Sequence, residues 1–114
     1  MLLNYLRTYR KRSSLTQDEV GYLLGGVSGS KISRYEQYKR LPSLETLLAY
    51  EAIFRVPVKE MFAGFFQKVE KRVVNRVGQL GKRLLAKPET PRTEAKLEAL
   101  SLVLRASRRG NLQE

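Results

Sequence analysis

Between Thr16 and Tyr38 the chain has room for two short helices and a glycine turn, and this stretch restricts the fold more than any other feature. Thr16-Gln17-Asp18-Glu19 has the form of a capping box, in which a Thr hydroxyl and a Glu carboxylate satisfy free amides at a helix start. The helix so begun is expected to reach residue 24, with Val20, Leu23 and Leu24 inward. Gly25-Gly26 ends it, because glycine tolerates the left-handed geometry of a helix C-terminus. Ser28 can cap the next helix, predicted over residues 28–38, in which Ile32 and Tyr35 lie three apart and face the core. Gly21, midway along the first helix, has no side chain to hold the second away. The second helix is left with one polar face turned outward.

The flanking segments carry the same helical punctuation. Leu2, Leu3, Leu6 and Tyr9 recur at helical spacing and predict a helix over 2–12 with a basic exit. Pro42-Ser43 marks another start, with Ser43 as N-cap and Leu44, Leu47, Leu48 and Ile53 as the expected buried stripe. Pro57 sets off a short helix over 58–63, whose Val58, Met61 and Phe62 would close the core. Beyond Gly64, the residues Phe66, Val69, Val73, Val77, Leu80 and Leu84 form the apolar stripe of a long amphipathic helix over 65–87. Its other face holds Lys68, Lys71, Arg72, Arg76, Lys82 and Arg83. Gly78 and Gly81 each cost about 1 kcal/mol relative to Ala in a helix interior, so a bend or fray is expected there. Pro88-Glu89-Thr90-Pro91 reads as a linker, and a last helix opens at Thr93 or Glu94, carries Leu97, Leu100 and Leu104 on one side, and stops at Gly110. No strand pattern occurs. The fold class expected is all-α, with one helical domain over 1–63 and a basic helical extension over 64–114.

Charge and composition narrow the function. Twenty-two Lys and Arg oppose 11 Asp and Glu, a net +11 that favours a polyanionic partner. Residues 1–63 carry ten basic and six acidic groups, and residues 64–114 carry twelve and five, so the excess extends beyond the two-helix segment. The chain has no cysteine, which excludes disulfides and thiolate metal sites, and no histidine, the usual metal ligand and general base. No cofactor and no catalysis are expected, since the carboxylates are scattered and no nucleophile has a base nearby. No apolar run reaches the roughly 18 residues needed to cross a bilayer, and the first five residues lack the pattern of a secretory signal. A cytoplasmic protein is expected, nucleoid-associated when bound.

Two short helices around a glycine turn make the geometry that lets a helix enter the roughly 12 Å wide major groove of DNA. Gly29, Ser30, Lys31, Ser33, Arg34 and Gln37 remain for the outer surface of the second helix. The residues Leu15-Thr16-Gln17-Asp18-Glu19-Val20, Ile32-Ser33-Arg34-Tyr35-Glu36, Pro42-Ser43-Leu44-Glu45-Thr46-Leu47 and Val56-Pro57-Val58-Lys59-Glu60-Met61-Phe62 closely resemble the Cro/C1-type (XRE) helix-turn-helix family over residues 3–63. The resemblance implies a five-helix, lambda-repressor-like domain that binds double-stranded DNA as a homodimer on two half-sites and regulates transcription, as repressors of this type do. It implies phosphate contacts from Gln17, Ser28 and Gln37, and base contacts from Gly29, Ser30, Lys31 and Arg34. Ser33 and Lys39 join the DNA-binding set, and Arg10 and Glu36 occupy positions that often form a structural ion pair.

The sequence departs from the family pattern twice. Gly25-Gly26-Val27-Ser28 has one residue more than relatives place there, which predicts a longer turn and a shifted or rotated third helix. Gly29 stands where a long polar side chain is common, leaving Arg34 as the strongest reader, since a guanidinium can donate two hydrogen bonds to guanine O6 and N7. Bland readings stand beside these: Arg34 as a phosphate ligand, Gln17 as an ordinary first-turn residue, Tyr35 and Tyr38 as packing groups rather than base-stackers. The basic helix over 65–87 reads as a solvated face, a DNA-backbone clamp or a dimerisation helix. Binding to an anionic membrane is disfavoured by its valine-rich, tryptophan-free apolar face. Two rival functions are an antitoxin-type autoregulator whose residues 64–114 grip a protein partner, and a protein-interaction module on the same fold.

Overall fold

The computed structural model describes residues 2–112, with side chains as far as Arg109. Those residues form helices α1 (Leu6–Arg12), α2 (Gln17–Leu23), α3 (Gly29–Glu36), α4 (Leu44–Phe54), α5 (Val58–Met61), α6 (Ala63–Leu85) and α7 (Pro91–Leu112), and no strand is found among them. The chain divides into two compact units between Phe66 and Gln67.

Side-chain caps set where the helices of the first unit begin. Thr16, Ser28 and Ser43 stand in extended conformation, and each accepts the amide of the residue three further on: Glu19, Lys31 and Thr46. The Glu19 carboxylate returns a bond to the Thr16 amide at 2.9 Å, completing the capping box. Around these starts the core gathers Leu6, Val20, Ile32, Tyr35, Tyr50, Met61 and Phe62. Burying each such side chain contributes about 1.5–3 kcal/mol, so this cluster is what makes seven-residue helices persist at all.

In the first unit several expectations need correction. α1 starts at Leu6 rather than at residue 2, because Asn4 is buried and holds the strap before it: its Oδ1 accepts the Leu6 amide and its Nδ2 donates to the Tyr35 carbonyl. The Tyr5 amide also donates to the Met61 carbonyl at 2.7 Å, so the strap is tied to α5 instead of continuing the helix. Leu23 is 50% exposed, two residues before Gly25, whose turn carries the chain away from the core. In α4 Leu44 and Leu48 are 72% and 55% exposed; the buried residue is Tyr50, with Leu47 and Phe54 packed beside the cluster. Finally α3 ends at Glu36, two residues early, as Tyr38 turns to φ +59° and sets its ring 5.8 Å from that of Phe65.

The second unit takes most of α6 and all of α7. α6 runs unbroken through Gly78 and Gly81, so no bend or fray occurs at either. Its sheltered row includes Val74, Val77, Gly81 and Leu84, while Val69, Val73 and Leu80 of the expected stripe are at least 37% exposed. α7 begins at Pro91, where the missing amide of proline costs nothing, and Thr90 caps it by accepting the Thr93 amide at 3.1 Å. Leu97, Leu100 and Leu104 lie on its sheltered side, and the helix passes through Gly110 rather than stopping there.

Candidate nucleic-acid interface

The link between α2 and α3 is built on backbone geometry. Gly25 and Gly26 adopt φ +97° and +94°, values that residues with a side chain rarely reach. This doubles the chain back so that the amides of Gly26 and Val27 both donate to the Gly21 carbonyl, at 3.0 and 2.9 Å. A Cβ on Gly21 would overlap the Val27 carbonyl, with Ile32 Cγ1 next at 3.7 Å. The close approach that Gly21 permits is therefore mainly to the turn, and through it to the start of α3.

α3 is anchored from one side. Ile32 is fully buried and Tyr35 nearly so, and the Tyr35 carbonyl accepts from Asn4. The Tyr35 ring meets Tyr50 edge-on at 6.4 Å, and Tyr50 stacks on Phe54 at 6.0 Å. Burial pushes the Tyr50 phenol well above its ordinary pKa, with the Glu36 charge adding to the effect, so it stays neutral. Ser30, Arg34 and Gln37 remain exposed on the outward face, with Lys31 and Ser33 partly so.

An ion pair ties α1 to this helix. Arg10 Nε donates to Glu36 Oε2 at 2.6 Å and Nη2 to Oε1 at 3.1 Å, a two-pronged bond, while Nη1 reaches the Leu15 carbonyl. The hydrogen bond to Glu36 is the main reason the Arg10 pKa is raised. Glu36 Oε1 also accepts from the Gln17 side chain at 3.2 Å, so the first residue of α2 is held against the C-terminal end of α3.

A family model for a helix-turn-helix domain matches residues 2–61, more than half the chain, a range that takes in α2, the glycine turn and α3. The chain belongs to the helix-turn-helix domain family. No curated protein and no solved structure matches it. A helix-turn-helix domain is a DNA-binding element and typically non-enzymatic, and the C-terminal helices extend it. Among the described residues no helix is long and apolar enough to cross a membrane.

In this helix-turn-helix domain the residues singled out from sequence fall into three groups. Gln17, Gly29, Ser30, Ser33 and Arg34 line one open notch of about 630 Å³, together with Thr16 and Asp18. Gln17 and Ser33 also border a smaller hollow with Gln37, Arg10 and Glu36. Ser28, Lys31 and Lys39 line neither; the Ser28 hydroxyl oxygen accepts the Lys31 amide in the α3 cap, and Lys39 follows the end of that helix. The Gln37 amide donates to Ser33 Oγ at 3.0 Å. Two residues of these surfaces escaped the sequence reading. Arg7 lies exposed beside Gln17 and Gln37, a position that only the packing of α1 reveals. Asp18 lies over Gly29; the unusual glycine at the opening of α3 marks the place in the sequence without naming the residue that fills it.

Proposed function

We propose that the protein is a sequence-specific, double-stranded DNA-binding transcriptional regulator of the Cro/C1 (XRE) type, acting in the cytoplasm as a homodimer on two half-sites. The observation that carries this is the outward row of Ser30, Lys31, Ser33 and Arg34 on a helix whose opposite side is locked by Ile32 and Tyr35. A helix held so rigidly can present donors to base edges at fixed positions. Arg34 reads guanine, Ser30 and Lys31 assist, and Gln17, Ser28, Gln37 and Lys39 contact phosphates. Gln17 suits this role because Glu36 already fixes its amide, which lowers the entropy lost on binding. The exposed cations of α6, Lys68, Lys71, Arg72, Arg76, Lys82 and Arg83, add attraction that does not depend on sequence.

A second reading has one observation in its favour. Val69, Val73 and Leu80 leave an apolar row on the surface of α6, which supports a role for residues 64–114 in gripping a partner or a second copy, as in an antitoxin-type autoregulator. Titration of a labelled random-sequence duplex across salt tests the main reading. The logarithm of the binding constant falls linearly with the logarithm of salt, by about 0.9 per phosphate neutralised. No duplex binding at low salt overturns it in favour of a protein-interaction module.

A further inference from the structure

Gly29 is the first residue of α3, at the point where a base-reading helix ordinarily offers a side chain. Glycine costs up to about 1 kcal/mol relative to alanine in a helix interior and offers no side chain to a base. The φ of Gly29 is not positive, and the turn does not require it. The space beside it is taken by Asp18: a Cβ on Gly29 would overlap Asp18 Oδ1 and stand 3.2 Å from Asp18 Cγ, so a side chain there would turn the flexible carboxylate aside. The carboxylate occupies the space that a side chain at residue 29 would fill.

Asp18 is exposed, and no hydrogen bond or ion pair holds it among the described residues. The start of α2 does not depend on it alone, since Thr16 and Glu19 already form the capping box. It lines the same notch as Gln17, Ser30, Ser33 and Arg34. On a surface that approaches phosphates, an unpaired negative charge lowers affinity unless it finds a donor. The major groove offers such donors at two bases. Adenine N6 lies between two acceptors, its own N7 and the O4 of the paired thymine, whereas cytosine N4 has an acceptor, the O6 of the paired guanine, on one side only and so repels a carboxylate less.

We propose that Asp18 is a base-reading residue, whose carboxylate, seated over the bare Gly29, accepts a hydrogen bond from the N4 amino group of a cytosine in the major groove. This rests on the reading of α3 as the recognition helix. The notch then combines an acceptor from α2 with donors from α3. Specificity missing from residue 29 is supplied from the neighbouring helix.

Selection from a pool of random duplexes, run in parallel with the wild type, Asp18→Asn and Gly29→Ala, tests it. Asp18→Asn is expected to lose a preference for cytosine of about tenfold at one position. It should also bind unselected duplex about two- to threefold more tightly at low salt, because a repulsive charge is gone. Gly29→Ala keeps the carboxylate but displaces it, so the same cytosine preference should fall while urea denaturation shows the domain as stable as the wild type or more so. If both variants keep every base preference of the wild type, the assignment of Asp18 is overturned. A wild type that binds duplexes without any preference overturns the recognition-helix reading itself, and a wild type that does not bind overturns DNA binding.

Discussion

Replacing Arg10 by methionine removes one half of a buried ion pair and leaves the other half in place. The Glu36 side chain is 4% exposed and that of Arg10 13%, so water cannot take over the lost contacts. Glu36 then keeps a single neutral donor, the Gln17 amide at 3.2 Å. Breaking a buried pair in this way costs about 3–5 kcal/mol, a large share of the roughly 5–15 kcal/mol that a small domain possesses. The double variant Arg10→Met, Glu36→Met buries no charge and should recover most of the loss. Urea denaturation followed by tyrosine fluorescence is a suitable assay, because all six tyrosines lie at or before Tyr50 and report on the first unit alone. With a urea slope of about 1.5 kcal/mol/M, the midpoint of the single variant falls by about 2–3 M and that of the double variant by far less. A single variant within about 1 kcal/mol of the wild type, or a double variant as unstable as the single, would falsify the view that the pair anchors α3 to α1.

Two glycines should respond in opposite directions. Gly21→Ala forces a Cβ onto the Val27 carbonyl and costs about 1–3 kcal/mol, whereas Gly78→Ala meets open space in α6 and gains about 1 kcal/mol, both read by urea denaturation followed by far-ultraviolet circular dichroism, which reports on all the helices. Equal effects at the two sites contradict the close approach of the turn to α2. Acid should loosen the start of α2. The bonds from the Thr16 amide and hydroxyl lower the Glu19 pKa below its ordinary 4.5, so their stabilisation is complete above that value and disappears as pH falls through the lowered one. Thermal melts between about pH 3 and 5 should show a steeper acid-side decline for the wild type than for Glu19→Gln, and parallel curves would count against the box.

Local chemistry was legible in the sequence wherever a cap or a breaker governs it. Thr16, Ser28, Ser43 and Gly25-Gly26 mark their boundaries because each acts on amides or dihedrals a few residues away. Long-range packing was not legible. The exposure of Leu44 and Leu48 and the burial of Tyr50 depend on which face of α4 meets the other helices, and the apolar residues of that helix are spread too widely to choose one. The strap before α1 has a helical apolar spacing, yet the long-range bonds of Asn4 and Tyr5 override it. The apolar residues of α6 offered two overlapping rows, and the sheltered one passes through Val74 and Gly81 rather than Val73 and Leu80. At the candidate interface the outward residues of α3 could be named from the positions of Ile32 and Tyr35, whereas the carboxylate over Gly29 could not, since it comes from another helix.

The central claim is that α3 reads base sequence through Arg34, and selection from random duplexes with wild type and Arg34→Ala, repeated across salt, tests it most directly. The account predicts that the wild type enriches a defined site with a guanine that the variant no longer requires, a loss of discrimination of about 1–3 kcal/mol at that position. The salt slope should change by no more than about one phosphate contact. An Arg34→Ala protein that selects the same site with the same affinity would contradict it.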